Sequence, residues 1–171
     1  SYAAAVDALY GALAERLAER GQMDLLHEIE MPLCAVLAEM EHTGILVDRD
    51  TLTAFEQMLT ARIQDCESLI YGYAGGPFNI NSPKQLAEVL FGKLQLPAQK
   101  KTKSGYSTNA EVLEYLRPMH PIIDRILEYR KLVKLKSTYV DGFMKLIGED
   151  GRIHSSFNQT ETRTGRISST E

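Results

Sequence analysis

The residues best suited to chemistry lie in the middle of the chain, where two helix-start patterns flank a run of lysines. Ser82 precedes Pro83, and Gln85 follows at the third helical position, which predicts an N-cap with a capping box. Thr108 and Glu111 repeat the pattern as a second cap and box. A helix start leaves backbone N–H groups unpaired and carries the positive end of the helix dipole, so both starts favour an anion such as phosphate.

A flexible basic loop is expected between the two helix starts. Its sequence is Lys100-Lys101-Thr102-Lys103-Ser104-Gly105. Two anion-binding helix ends joined by lysines suit the phosphate backbone of a nucleic acid. Capping boxes also occur simply because they stabilise helices, so a purely structural role stays open.

A second basic segment follows at residues 128–139. Arg130 and Lys134 are four residues apart and therefore share a face of the predicted helix. No acidic residue occurs between positions 129 and 140, which predicts a helix that is apolar on one side and basic without compensation on the other. Such a helix could lie along a duplex, and a solvated basic face is the alternative.

Small hydroxyl and amide side chains surround Arg166 in the last part of the sequence. Groups of this kind donate to phosphates and to the groove edges of nucleic acids. The candidates are Asn158, Thr162, Ser168 and Ser169.

Charge is unevenly distributed along the 171 residues. The formal net charge of −4 argues against nucleic-acid binding when taken alone. However, residues 1–48 carry 2 basic and 9 acidic side chains, whereas residues 79–136 carry 11 basic and 5 acidic ones. This asymmetry suggests a local electrostatic footprint on a polyanion, with a solvated charged surface as the alternative.

The composition, 44% hydrophobic and 25% charged, is that of a globular protein. No apolar run approaches the roughly 20 residues of a membrane span and no signal-peptide pattern is present, so we expect no membrane partner. Cys34 and Cys66 lie on apolar helical faces and are expected to be reduced core thiols, as suits a cytosolic protein. The histidines at 27, 42, 120 and 154 lack metal-ligand spacing, so no metal site is expected in this chain.

Apolar periodicity predicts a mainly α fold: a long antiparallel helix pair with a small helical tip, then short β-strands near the C-terminus. Asp48 is expected to cap the first long helix and Gly75 to end it, while the second begins near Pro121. The tip helices are expected at 83–93 and 109–117. The remaining predicted elements are helices at 3–20 and 24–41, the latter kinked or broken at Pro32, an extended segment at 45–47 and a strand from 152 to 160.

Together these segments resemble family A DNA polymerases of the bacterial DNA polymerase I type. The motifs occur in the family's order and spacing and span nearly the whole chain. They are Glu30-Met31-Pro32-Leu33, Gly44-Ile45-Leu46-Val47-Asp48, Phe78-Asn79-Ile80-Asn81-Ser82, Lys84-Gln85-Leu86, Tyr129-Arg130, Lys134-Leu135-Lys136-Ser137-Thr138-Tyr139, Phe157-Asn158-Gln159-Thr160 and Thr164-Gly165-Arg166-Ile167-Ser168-Ser169.

The resemblance implies part of a right-hand-shaped polymerase. Residues 1–22 correspond to the end of a 3′–5′ exonuclease-like domain, 23–47 to a connecting helix and palm-entry segment, 48–143 to the thumb and 144–171 to the start of the palm. It also implies that Arg166 reaches the minor-groove edge of the primer-terminal pair, where acceptors lie in nearly the same place in all correct pairs. The residues implied to hold the duplex DNA primer–template are Asn79, Asn81, Ser82, Lys84, Lys100, Lys101, Lys103, Ser107, Thr108, Arg130, Lys134 and Lys136.

The implied parent is a monomeric, cytoplasmic and nucleoid-associated DNA-directed DNA polymerase, a nucleotidyltransferase of replication or repair. In the family, the aspartates that hold Mg²⁺ and the fingers that bind dNTP follow the Thr-Gly-Arg motif, so this chain alone is expected to be inactive, with no catalytic residue and no cofactor of its own. Val6 stands where proofreading members place a metal-binding aspartate, which predicts that proofreading is lost. The alternatives are a helical protein-interaction module without a nucleic-acid role, and a related polymerase that uses RNA.

Overall fold

The computed structural model describes residues 2–98, 101–102 and 105–170, and it divides into two compact units. One unit combines Ser1–Val47 with Leu146–Glu171, and the other runs from Asp48 to Lys145. Helices dominate and the strands are short, so the expected mainly α fold class is confirmed. Within the described residues, no helix is long and apolar enough to cross a membrane.

Sixteen elements follow one another along the described chain. In order they are α1 (Tyr2–Glu19), a first π-helical turn (Leu25–Glu30), α2 (Met31–Thr43), β1 (Ile45–Leu46), α3 (Arg49–Ala74), α4 (Pro83–Ala87), a second π-helical turn (Glu88–Lys93), β2 (Lys101–Thr102), β3 (Gly105–Tyr106), α5 (Ala110–Leu116), α6 (Ile122–Leu135), a third π-helical turn (Lys136–Asp141), α7 (Gly142–Leu146), β4 (Arg152–Ile153), β5 (Ser156–Asn158) and β6 (Ser168–Thr170).

The longest helix, α3, begins and ends where the sequence predicts. The Asp48 carboxylate accepts the Thr51 N–H at 3.0 Å and the Thr51 hydroxyl at 2.7 Å. These donors hold the pKa of Asp48 below its usual value. At the other end, Gly75 adopts φ +73°, a left-handed conformation that glycine takes without the steric cost of a side chain.

The two long helices of the second unit, α3 and α6, share one apolar core. Ion pairs join Arg62 to Glu128 and Glu56 to Lys136. Residue numbers therefore increase along α3 in the direction in which they decrease along α6 and the third π-helical turn. The pair is therefore antiparallel, as predicted. Its buried side chains include Leu59, Cys66 and Ile70 from α3 and Ile122, Ile123, Ile126, Tyr129 and Leu132 from α6.

The helical tip is anchored in the same core. Leu86 and Leu90 from the first tip helix, and Leu113 and Leu116 from α5, are completely buried in the cluster that contains the α3 and α6 side chains. The predicted helix at 83–93 is present, although it changes from α to π winding after Ala87.

The segment expected to be a flexible basic loop contains a short hairpin. Strand β2 pairs antiparallel with β3, with Lys101 opposite Tyr106. The Tyr106 ring meets the Phe91 ring edge-on at 5.4 Å between centroids, which anchors the hairpin to the second π-helical turn. Residues 101–102 and 105 are therefore paired strand residues rather than the expected loop. Two residues on each strand are too few for the sequence to show an alternating pattern.

In the first unit, the helix expected to be kinked or broken at Pro32 is unbroken there. The helix continues through Pro32, and the first π-helical turn ends at Glu30, two residues before it. Within it the Met31 N–H donates to the Leu26 carbonyl, five residues back. Proline has no N–H to donate and crowds the carbonyl four residues earlier, and a wider turn accommodates both effects.

The predicted strand at 152–160 is split into two. Strand β4 pairs with β1, with Ile45 opposite Ile153, whereas β5 pairs with β6, with Phe157 opposite Ser169. Strand β6 was not predicted. The break follows from two different pairing partners, which the pattern of a single segment does not reveal.

The two cysteines have different environments, and both are free thiols. Cys66 is buried as expected, and desolvation raises the pKa of its thiol. Cys34 is exposed, so its expected core position is wrong. Among the described residues of α2 only Leu37 is buried, so most of this helix, Cys34 included, is not part of a core.

Neighbouring residues on α3 test the apolar core. We expect Ile70→Ala to lower the free energy of unfolding by about 2–5 kcal/mol, because Ile70 is completely buried and the substitution leaves a cavity. Leu69 is 48% exposed, so Leu69→Ala should change it by less than about 1 kcal/mol. Urea unfolding followed by circular dichroism measures both. Equal losses would contradict the assignment of Ile70 to the core.

Candidate nucleic-acid interface

The first helix start of the tip is built by a tight polar turn. Ser82 is the N-cap of α4, and its hydroxyl accepts the Gln85 N–H at 3.4 Å. The predicted capping box is wrong, because the Gln85 side-chain oxygen accepts the Asn79 N–H at 2.8 Å rather than the N–H of Ser82. Asn79 in turn accepts the Asn81 N–H at 3.0 Å. The candidate residues 79–82 are thus held in one conformation before any ligand binds.

Asn81 also links the tip to the long helix α6. Its side-chain amide donates to the Tyr129 hydroxyl at 3.1 Å. Tyr129 is buried, and desolvation raises the pKa of its hydroxyl, so the phenol stays protonated at neutral pH. One predicted DNA-contacting side chain therefore has a structural partner inside the protein.

The second helix start is capped by a different residue from the one expected. The side-chain oxygen of Asn109 accepts the Val112 N–H at 3.0 Å, so Asn109, not Thr108, is the N-cap. Glu111 then occupies the second helical position and no capping box forms. Three consecutive residues, Ser107, Thr108 and Asn109, have capping side chains, and the sequence alone does not choose among them.

Thr108 is instead buried beneath Arg130. The guanidinium of Arg130 donates to the Thr108 carbonyl at 2.6 Å and to its hydroxyl at 3.4 Å. Burial lowers the pKa of Arg130 from its ordinary value, although an arginine with that starting pKa stays charged at neutral pH. Arg130 thus brings a partly desolvated positive charge from α6 to the start of α5.

Five predicted site residues line one surface depression of about 1000 Å³. They are Ser82, Lys84, Ser107, Thr108 and Arg130. The sequence analysis missed Asn109 and the aromatic Tyr106, which lie on the same depression, and also the acidic Glu88 on its wall. The only available signal for Tyr106 was an aromatic residue directly after a basic run. Both helix starts and a guanidinium therefore share one concave surface.

The basic face expected on α6 is partly neutralised. Lys136 lies 2.7 Å from Asp141 and 3.0 Å from Glu56, and both carboxylates raise the pKa of its ammonium group. The expectation of uncompensated charge is therefore wrong at Lys136, because one carboxylate comes from α3 and the other lies just beyond the acid-free stretch. Lys134, one turn of helix after Arg130, is exposed.

The lysines between the tip helices are described only in part. Lys100 and Lys103 lie outside the described residues, and for Lys101 the structure gives the backbone pairing in β2. Their predicted contacts with DNA stay predictions.

The C-terminal candidates lie on and beside the β5–β6 hairpin of the first unit. Asn158 on β5 is opposite Ser168 on β6, and Ser169 is the next residue along β6. Arg166 is exposed in the connection between the strands, and its carbonyl accepts the Thr162 hydroxyl. The Ser168 hydroxyl donates to the Glu161 carboxylate at 2.8 Å.

Two glutamates hold this hairpin against α2 and the π-helical turn before it. The Glu41 carboxylate accepts the Phe157 N–H at 2.6 Å. The Gln159 amide donates to the carbonyl and carboxylate of Glu30, at 3.1 and 3.0 Å. The sequence analysis did not identify these glutamates as supports, because the bonds join residues more than 110 positions apart.

Within the part of the chain that the structure describes, no three His, Cys, Asp or Glu side chains cluster so as to hold a metal ion.

Comparison with known proteins agrees with the resemblance. Residues 49–171 match DNA polymerase family A. The DNA polymerase I of Bacillus subtilis is 48% identical over 170 residues, and that of Geobacillus stearothermophilus is 52% identical over 170 residues. Each alignment covers 99% of this chain and 19% of the relative, so the chain spans about a fifth of the length of these proteins.

A solved structure, the POL domain of Pol1 from M. smegmatis in complex with DNA primer-template and dNTP, is similar in fold and sequence. The TM-score is 0.82 at 43% identity, over 98% of this chain and 30% of that one. The chain belongs to DNA polymerase family A.

A pair of variants tests the corrected helix cap. We expect Asn109→Ala to destabilise the protein by about 1 kcal/mol, because the Val112 N–H loses its acceptor, whereas Asn109→Asp should retain most of the stability. Denaturant unfolding measures both. If the aspartate variant loses as much as the alanine variant, the side chain of residue 109 is not acting as the cap.

Proposed function

We propose that this chain is the part of a DNA-directed DNA polymerase that grips the duplex of the primer–template. The observation that carries the proposal is the depression on the tip, which gathers two helix starts, Lys84 and Arg130. Membership of DNA polymerase family A supports it, as does a similar solved structure that contains DNA primer-template.

The chemistry of the depression suits a phosphate backbone. Free N–H groups at a helix start and a nearby guanidinium both donate to phosphate oxygens. Neither group reads a base, so the contact is independent of sequence, as a copying enzyme requires. Arg130 donates to Thr108 with some of its guanidinium N–H groups. A guanidinium has further N–H donors that can bind a ligand.

The unit from Asp48 to Lys145 is compact and supports the proposed thumb at residues 48–143. We assign residues 144–171 to the start of the palm, 23–47 to the connecting and palm-entry segment and 1–22 to the end of an exonuclease-like domain. With Val6 in place of a metal-binding aspartate, we propose that the parent does not proofread.

In this proposal, Arg166 probes the minor groove of the primer-terminal pair. Its exposure at the end of the β5–β6 hairpin supports that role. Acceptors occupy nearly the same minor-groove positions in every correct pair, so one arginine can test pair geometry without reading sequence. The parent polymerase would use dNTP and Mg²⁺ held by residues outside those described here.

The first functional prediction concerns salt. Phosphate contacts release counterions, so affinity for a labelled primer–template duplex should fall steeply between about 50 and 200 mM salt. We expect Lys84→Ala to flatten the plot of log affinity against log salt by about 1 unit for the one lost phosphate contact. Fluorescence anisotropy at several salt concentrations gives both quantities.

Arg117→Gln is the matched control, because it removes the same charge from the tip helices. Arg117 is already paired with Glu114 and Asp124, so its replacement should leave the salt slope unchanged. Undetectable duplex binding at low salt, or binding that does not vary with salt, would favour the helical interaction module. Equal affinity for an RNA duplex would favour the RNA-using relative.

The second functional prediction applies to the longer polymerase. Arg166→Ala should slow primer extension more than it weakens duplex binding, because the side chain contacts only the terminal pair. Single-turnover extension and duplex affinity, measured side by side, separate the two effects. Arg163→Ala is the control, since Arg163 is also exposed and lies three residues away. Unchanged extension in the Arg166 variant would refute the role.

A further inference from the structure

The C-terminal end of α2 is capped by two basic side chains, Arg152 on β4 and His154 directly after it. The last carbonyls of a helix lack partners within the helix. Here the Arg152 guanidinium donates to the Thr43 and Gly44 carbonyls at 3.3 and 3.2 Å, and the Nδ1 of His154 lies 2.7 Å from the Glu41 carbonyl. Positive charge at this end also complements the helix dipole.

Both side chains reach the helix from the end of β4. Arg152 lies on β4 and His154 directly follows it, and both contact carbonyls of α2, whereas Ile153 between them is buried. Gly44 lets the imidazole approach: a Cβ there would lie 2.8 Å from Nδ1 of His154. Its φ of +63° also favours glycine.

Both nitrogens of the His154 ring face groups that accept hydrogen bonds. Nδ1 faces the Glu41 carbonyl, and Nε2 lies 3.1 Å from the Asp150 carboxylate. A neutral imidazole has one N–H and can satisfy only one of these acceptors, whereas the imidazolium donates to both. The geometry therefore selects the protonated ring.

We propose that His154, as an imidazolium, is a positioning residue that fastens the β5–β6 hairpin to the end of α2 and gives way when it loses its proton. The path to the hairpin is short, because Phe157, three residues further on, donates its N–H to the side chain of the same Glu41. The hairpin carries Arg166 and the small hydroxyls, so the consequence for DNA rests on the proposed function.

The charges around the ring favour its protonated form. The hydrogen bond to the Glu41 carbonyl is the largest cause that raises the pKa of His154, the bond to Asp150 is the next, and Arg152 opposes them. The carboxylate of Glu41 faces the Phe157 N–H rather than the ring. A raised folded-state pKa gives a stabilisation that is complete below the ordinary pKa of about 6.5 and is lost as pH rises through the folded value.

The experiment is an NMR titration of the whole chain labelled with ¹⁵N. We expect the pKa of His154 to lie above the ordinary histidine value of about 6.5, with both ring nitrogens protonated below that pKa. The amide hydrogens of Phe157 and Ser168 should lose about two- to fivefold of their intrinsic-rate-corrected protection across that titration, as the helix end loses one charged cap.

We call this pH-dependent attachment of the β5–β6 hairpin by His154 the clamp. Two variants distinguish it from a merely structural effect of the side chain. Asp150→Asn removes the carboxylate from Nε2, so it should move the His154 titration, and the loss of hairpin protection with it, to lower pH. His42→Gln is the matched control, an exposed histidine beside Glu41, and should change neither. His154→Gln should abolish the pH dependence. If the His154→Gln protein does not fold, the Asp150→Asn variant still tests the clamp.

The outcomes distinguish this inference from the proposed function. If the pKa of His154 does not lie above the ordinary histidine value of about 6.5, or if hairpin protection does not follow its titration, the clamp is refuted whether or not DNA binds. If the titration and the protection agree but duplex DNA shifts no amide of residues 158–169 at either pH, the clamp stands and the DNA-contacting role of the hairpin falls.

Discussion

The apolar seam between α3 and α6 is the interaction on which the candidate interface depends. Ile70, Ile122 and Ile126 are completely buried in it, and the leucines of both tip helices belong to the same cluster. A helix start can offer its N–H groups to a ligand only if the helix is held still. The seam supplies that rigidity, because isolated helices as short as α4 and α5 are not stable in water.

Polar residues of the tip have two roles that compete for the same hydrogen-bonding groups. Asn81 and Arg130 donate inside the protein, to Tyr129 and to Thr108, and these bonds fix the shape of the depression. Lys84 belongs to the wall of the depression and supplies charge. Preorganisation of this kind lowers the conformational entropy lost when a ligand binds. A polar residue that resembles a ligand contact in sequence can thus contribute by shaping the surface.

Local signals were predictable from the sequence, and long-range partners were not. The Asp48 and Ser82 caps, the end at Gly75 and the apolar stripes each depend on residues within one or two helical turns. Lys136 was misjudged because one of its carboxylates comes from α3, 80 positions away. The cap at Asn109 was missed because Ser107, Thr108 and Asn109 are all residue types that commonly cap helices. Strand β6 was missed because a strand this short is recognisable only from its pairing with β5.

The described chain contains three π-helical turns, before Pro32, after Ala87 and after Leu135. Each contains one residue more than the α-helical turn it replaces, so one extra residue is accommodated without interrupting the helix. Removing one residue there returns the winding to α and keeps the later side chains on their original faces. Elsewhere in the helix, the same deletion turns everything downstream by about 100°. These turns are therefore the places where the helical framework tolerates a change in length.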